Sequence, residues 1–101
     1  MKNVEMNNEK MLELCAKKLK VCGHPVRLKI LSVIKEGTVC VKELWKSIEQ
    51  PQPVISQHLA VLKESGIVSS EVNGNKRIYA ISDSFIYEVI SLIKASLNNK
   101  K

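Results

Sequence analysis

Thiols are the side chains of this 101-residue chain with the most distinctive chemistry. The chain has Cys15, Cys22 and Cys40, and thiolates are nucleophiles, redox centres and ligands of soft metal ions. On one helix, the spacing of Cys15 and Cys22 corresponds to a rise of about 10 Å, too long for both to share one ion without distortion. Both also lie on an apolar stripe, so packing in a core or a dimer interface is favoured over ligation.

Cys40 differs because it is expected to begin a helix. Glu43 follows three residues later, so Cys-x-x-Glu stands where a capping box belongs. The free N–H groups of a helix N-terminus carry partial positive charge, and together with Lys42 they favour the reactive thiolate. Two interpretations of Cys40 stay open: a sensing thiol, and a weak cap in the place of serine.

Polar side chains suited to base recognition form the solvent face of the helix predicted after Gln50-Pro51-Gln52-Pro53. Glutamine and serine read base edges in the major groove, whereas lysine, arginine and asparagine suit phosphate or minor-groove contact. An ordinary solvated face is the alternative for the helix alone, but a basic hairpin tip follows it. The predicted DNA-binding residues are Gln52, Ser56, Gln57, His58, Lys63, Asn75, Lys76 and Arg77. Of these, His58 is expected to be half-buried because it adjoins Leu59.

The residue types argue against an enzyme. The four glycines each stand at the end of an expected element and form no phosphate loop. Two isolated histidines, with no clustered pair of acids, leave nothing for general acid–base catalysis.

Composition indicates one small globular domain with an acidic partner. The 16 basic residues exceed the 10 acidic ones, which gives a net charge of +6 and favours nucleic acid or an anionic surface. No apolar run approaches the roughly 18 residues of a membrane span, so we expect no membrane association. An odd number of cysteines fits the reducing cytoplasm, where we expect the protein to reside.

The order of predicted elements is typical of a mainly α winged helix-turn-helix, α-α-α-α-β-β-α, which we expect to be dimeric. Apolar spacing predicts helices over 9–22 and 25–37, a third from Cys40 and a fourth that stops at Ser65-Gly66. Strands 67–72 and 76–81 flank Asn73-Gly74, expected to form the two turn positions with positive φ. A last helix follows Asp83 or Ser84. We expect a flexible arm over 1–8 and the DNA-binding and dimerisation domain over 9–98.

Three runs of residues carry a family resemblance over nearly the whole chain. They are Leu19-Lys20-x-x-x-His24-Pro25-x-Arg27-Leu28, Val41-x-Glu43-Leu44 and Gln52-Pro53-x-x-Ser56-Gln57-His58-Leu59-x-x-Leu62-x-x-x-Gly66-Ile67-Val68. In order and spacing these runs resemble the ArsR/SmtB family of winged helix-turn-helix repressors. The resemblance implies a homodimer that binds double-stranded operator DNA and releases it on binding metal ions or after thiol oxidation.

The family's known sensor sites are poorly matched. The last helix has no histidine, so the zinc site of that helix is absent, and Lys42 replaces the second thiol of the Cys-x-Cys site. The residues of these motifs are most similar to those of the sulfide- and persulfide-responsive branch of the family. Sensors of that branch pair a cysteine of the second helix with a cysteine of the last helix, but here Ser32 stands at the first of these two positions. Residues 83–101 lack the second cysteine.

Several forms of regulation and function therefore stay open. They are As(III) or Cd(II) held by Cys40 with Cys15 or Cys22 across a dimer, oxidation at Cys40, a constitutive repressor, and a winged-helix module that binds protein. The dimer is expected to form through the first and last helices, because the last helix carries more apolar surface than a small core can cover.

Overall fold

The structure is a computed structural model that describes residues 2–37 and 39–99, with side chains from residue 7 onward. Five helices and three strands follow one another along the chain. They are α1 (Lys2–Cys22), α2 (Pro25–Ile34), β1 (Val39–Cys40), α3 (Val41–Ser47), α4 (Gln52–Glu64), β2 (Val68–Asn73), β3 (Lys76–Ile81) and α5 (Ser84–Asn98). The predicted winged helix-turn-helix is confirmed, with β1 as an addition.

One aliphatic core holds the helices together. Its ten most buried side chains are Ile30, Leu31, Ile34, Leu44, Ile55, Leu59, Leu62, Ile67, Ile86 and Ile90. Helix α2 lies at the centre, since it packs against α3, α4, α5 and the sheet. The start of α5 is stabilised by a side-chain cap: Asp83 accepts a hydrogen bond from the Ile86 N–H at 2.9 Å.

The wing is a three-stranded antiparallel sheet in the order β1-β3-β2. Strand β1 was not predicted, because two residues give no periodic signal. It pairs Cys40 with Ile78 of β3, and this pairing joins the start of α3 to the wing.

The position of the hairpin turn was predicted wrongly by one residue. Asn73 pairs with Lys76, so the loop consists of Gly74 and Asn75. Gly74 has φ 67°, and no described residue other than glycine has a positive φ. Glycine at the first loop position with an ordinary second residue is the pattern of a type II′ turn, which needs only one left-handed residue.

Helix α1 begins at Lys2, so the helix start predicted at residue 9 is wrong. The division into an arm over 1–8 and a domain over 9–98 stays a prediction. Three polar contacts fix the outer helices. Lys18 pairs with Asp83 at 2.7 Å, and Lys94 of α5 donates to the Ser32 carbonyl of α2 at 3.0 Å and pairs with Glu36.

Candidate nucleic-acid interface

Helix α4 separates its core-facing and solvent-facing residues cleanly. Ile55, Leu59 and Leu62 are buried, which fixes the rotation of the helix against the core. The side chains on the other side are exposed, as the sequence predicts for Gln52, Ser56, Gln57 and Lys63. This face therefore offers amide and hydroxyl groups along most of its length, with an ammonium group in the last turn.

The wing tip presents the other predicted contacts. Asn75, Lys76 and Arg77 are all exposed. The Arg77 guanidinium donates a hydrogen bond to the Ser70 hydroxyl across the hairpin at 3.3 Å. Because both groups of this bond are exposed, the guanidinium can exchange Ser70 for a phosphate oxygen at little cost.

Lys42 lies between the wing and helix α4. It is not among the DNA contacts that the sequence predicts. A cavity of about 180 Å³ is lined by Cys40, Val41, Lys42, Asn75, Lys76 and Arg77. A neighbouring groove is lined by Lys42, Trp45, Lys46 and Gln52. We call the surface formed by Lys42, Lys46, Gln52, Ser56, Gln57, Lys63, Asn75, Lys76 and Arg77 the polar face. Lys42 belongs to both depressions, so this face is continuous from α4 to the wing.

Glu43, in the first turn of α3, lies close to cations of the polar face. Hydrogen bonds from the side chain and the backbone N–H of Cys40 hold the pKa of Glu43 below its ordinary value. The charges of Lys76 and Lys46 lower that pKa further. One signal in the sequence could have found Lys46: it stands four residues after Lys42, on the same side of a helix.

His58 does not join the polar face. Its ring is half-buried against His24, with the ring centroids 4.4 Å apart. Its Nδ1 accepts a hydrogen bond from Nε of Arg27 at 3.1 Å. The sequence placed His58 among the DNA contacts, whereas the structure turns it toward α2, because it lies beside the buried Leu59.

The three thiols occupy different surroundings and do not converge. Cys22 is 3% exposed in the core, and burial, with the charge of Asp83, raises its pKa to about 11. Cys15 is half-exposed on α1. Cys40 is half-exposed in the cavity beside the wing. Among the residues that the structure describes, no group of three His, Cys, Asp or Glu side chains could hold a metal ion.

Large hydrophobic side chains form a second exposed group. Among the side chains that the structure describes, all the exposed large hydrophobic ones but Val72 lie on α1 or α5. They are Met11, Leu12, Leu14 and Leu19 on α1 and Tyr87, Leu92 and Leu97 on α5. We call these seven residues the apolar face. The predicted apolar stripe that carries Cys15 and Cys22 also includes Leu12 and Leu19, at steps of three and four residues. In the structure this stripe is divided: Cys22 faces the core, whereas Leu12 and Leu19 are exposed.

No helix in the described ranges is long and apolar enough to cross a lipid bilayer. The polar face is exposed to water. Its mixture of cations with amides is typical of surfaces that recognise DNA.

Comparison with known proteins agrees with this geometry. A family model described as "Bacterial regulatory protein, arsR family" matches residues 24–70. An uncharacterized HTH-type transcriptional regulator of Methanocaldococcus jannaschii is 39% identical over 82 residues, which cover 80% of this chain and 92% of that relative. The arsenical resistance operon repressor of Staphylococcus xylosus is 34% identical over 67% of this chain and 65% of its own length.

A solved structure extends the likeness to three dimensions. The transcriptional repressor BigR from Xylella fastidiosa superposes with a TM-score of 0.80 at 33% identity, covering 90% of this chain and 93% of that one. These relatives are DNA-binding regulators and not enzymes. The chain belongs to the ArsR/SmtB family of winged helix-turn-helix transcriptional repressors.

Proposed function

We propose that the chain represses transcription by binding a palindromic DNA operator through the polar face. Gln52, Ser56 and Gln57 contact base edges in the major groove, because they line the exposed side of α4. The cations and Asn75 contact phosphates on either side of that groove: Lys42, Lys46, Lys63, Asn75, Lys76 and Arg77. The observation that carries the proposal is the continuity of this face through Lys42, which lines both depressions.

The proposed operator-binding form is a homodimer built on the apolar face. Leu92 is 70% exposed and Leu12 is 68% exposed, which is far more than a soluble monomer needs to leave in water. A two-fold interface between copies of this face buries α1 and α5 together. It also places two α4 helices side by side, and half-sites one turn of DNA apart, about 34 Å, require such a pair.

Regulation by a thiol is proposed for Cys40. Its side chain lies in the cavity that Lys42, Lys76 and Arg77 also line, so a group added to the thiol occupies space beside the phosphate contacts. The metal form of this proposal, As(III) or Cd(II), needs Cys40 of one protomer and Cys15 of the other, because Cys22 is buried. Cys40→Ser separates a sensor from a constitutive repressor: a sensor loses its response to thiol reagents and metals while repression persists.

Salt dependence tests the proposed DNA contacts directly. A labelled duplex is selected by the protein from a randomised pool, and its affinity is measured against a scrambled duplex of the same length. Five cations in contact with phosphates in each protomer give the dimer a slope of about −9 in log affinity against log salt. Arg77→Ala weakens both duplexes alike and reduces the slope by about 2 for the dimer, whereas Gln57→Ala reduces the preference for the selected duplex and leaves the slope unchanged. If neither substitution changed affinity, the assignment of the polar face would be wrong.

A further inference from the structure

The two histidines of the chain, His24 and His58, meet in one cluster. His24 caps α2, since its Nδ1 accepts a hydrogen bond from the Val26 N–H at 3.1 Å. His58 projects from α4 onto the His24 ring, and Arg27 of α2 lies against both its imidazole and the end of α1. The cluster therefore stands where α1, α2 and α4 come together.

Arg27 connects these three helices through two hydrogen bonds. Its Nε donates to His58 Nδ1 at 3.1 Å, and one terminal guanidinium nitrogen donates to the Val21 carbonyl at 2.9 Å. The Val21 carbonyl is one of the unpaired carbonyls in the last turn of α1. Through these bonds the guanidinium fixes the side of α4 opposite to the polar face.

The bond between Arg27 and His58 exists only while His58 is neutral. An imidazole nitrogen accepts a hydrogen bond in its unprotonated form, and both nitrogens become donors when the ring is charged. Burial lowers the pKa of His58, and the neighbouring His24 and Arg27 lower it further. The folded protein thus prefers the neutral ring, and this contribution to stability is lost as the pH falls below about 6.5, the ordinary histidine value.

No carboxylate compensates a second positive charge at this place. The ion pairs of the described residues, Lys18 with Asp83 and Lys94 with Glu36, involve neither Arg27 nor His58. Helices α1 and α3 and strand β2 also pack against α4, and within the described ranges they bring no acidic group that acts on His58. The Cys22 thiol near Arg27 stays protonated and uncharged, since burial raises its pKa to about 11.

We propose that Arg27 and His58 are positioning residues for DNA recognition, and that protonation of His58 releases α4 from Arg27 and weakens operator binding. This inference rests on the proposed function, since it assumes that α4 reads the operator. It assigns His58 a role opposite to that of a phosphate contact. A charged His58 facing phosphate would strengthen binding on acidification, and the general rise in positive charge of the protein acts in that direction too.

The experiment compares affinity for the selected duplex at about pH 7.5 and pH 5.5 at constant salt, on either side of the histidine range. Wild-type affinity is expected to fall about threefold to tenfold on acidification, the effect of losing the hydrogen bond between Arg27 and His58. His58→Asn keeps an acceptor oxygen that does not titrate, so its fall should be less than about twofold. His24→Asn is the matched control: it keeps the cap acceptor, removes the other imidazole and should retain most of the wild-type fall.

Arg27→Gln provides a second variant, in which an amide donor remains and the charge is gone. Its fall on acidification should also shrink, because a protonated His58 then meets no guanidinium. The single tryptophan, Trp45, reports by its fluorescence that each variant is folded at both pH values. A proton titration of His58 by NMR should give a pKa below the ordinary value in the wild type and a higher one in Arg27→Gln.

Several outcomes overturn the inference. One is tighter binding at the lower pH that disappears in His58→Asn, which makes His58 a phosphate contact. Others are a wild-type pH profile in His58→Asn or in Arg27→Gln, and loss of the pH effect in His24→Asn alone. The failure of the proposed function is distinct, since it means no preference for a selected duplex at pH 7.5 and no effect of Arg77→Ala.

Discussion

The outer side of α4 and the outer sides of α1 and α5 are both exposed, but they differ in chemistry. The first carries amides, a hydroxyl and cations, whereas the second carries leucines, a methionine and a tyrosine. A polar face stays hydrated until a charged partner releases its counterions, while an apolar face gains free energy from any partner that excludes water. The difference fits the two unlike associations proposed for this small domain, one with DNA and one with a second copy of the chain.

The largest expected effect is loss of the dimer on Leu92→Glu. A two-fold interface contains the substitution twice, so the dimer should weaken about a thousandfold or more. Sedimentation should then give a folded species of 11.4 kDa instead of twice that mass.

Val72→Glu is the control for this substitution, since Val72 is 64% exposed but lies on the wing. It should leave the dimer intact. If the wild type sedimented as a monomer at micromolar concentration, the proposed dimer would be wrong.

The next largest effect concerns Cys22, which lies in the core behind the apolar face. With a pKa of about 11 instead of 9.0, its thiolate fraction at neutral pH is about a hundredfold below that of an ordinary thiol. We expect iodoacetamide to label Cys15 and Cys40 long before Cys22, as followed by mass spectrometry of tryptic peptides. The difference should vanish in denaturant, and equal labelling of all three in the folded protein would contradict the burial of Cys22.

A smaller effect is expected for Asp83→Ala, at the joint that ties α1 to α5. Burial opposes ionisation of Asp83, but hydrogen bonds from Lys18 and the Ile86 N–H outweigh it and hold its pKa below the ordinary value. Loss of the cap and the ion pair should cost about 1–2 kcal/mol in the free energy of unfolding, measured by urea denaturation.

Asp83→Asn keeps a capping oxygen and should cost less than Asp83→Ala. In the wild type the contribution of the charge is present above about pH 4, and it is lost as the pH falls through the lowered pKa of Asp83. If Asp83→Ala were as stable as the wild type, the cap and the ion pair of Asp83 would contribute nothing to stability.

The smallest effect tests whether the polar face extends over α3. Lys42→Ala should weaken binding of the selected and scrambled duplexes alike, about threefold to tenfold, and reduce the salt slope by about 2. Lys29→Ala removes the same charge in a groove between α2 and α5, so it should leave the slope unchanged. An equal loss in both variants would mean that only net charge matters.

Local patterns predicted most of the fold, because periodicity, caps and turn residues act within a few positions of one another. The buried stripe of Ile55, Leu59 and Leu62 and the cap at Asp83 needed no knowledge of tertiary contacts. Strand β1 was not predicted, because so short a strand is recognised only by its pairing with β3. The same reason hid Lys42, whose place in the polar face depends on that pairing.

His58 shows the opposite limit of sequence reasoning. Its exposed neighbour Gln57 favours a DNA contact, whereas its buried neighbour Leu59 favours partial burial, and the sequence alone supports both. Only the structure reveals its partners, because His24 and Arg27 approach from more than 30 positions away in the chain. Tertiary contacts of this kind leave no trace in the spacing of residues along one helix.

The outward leucines of α1 have a consequence for how the repressor responds to its own abundance. If the dimer forms through the apolar face, a monomer exposes the apolar side chains of α1 and α5 to water. The free energy of association therefore contributes to the stability of each copy. Below the dimer dissociation constant, operator occupancy then rises with the square of protein concentration. Repression would begin over a narrow range of protein concentration. Dilution of the protein as the cell grows would reverse it without any chemical signal.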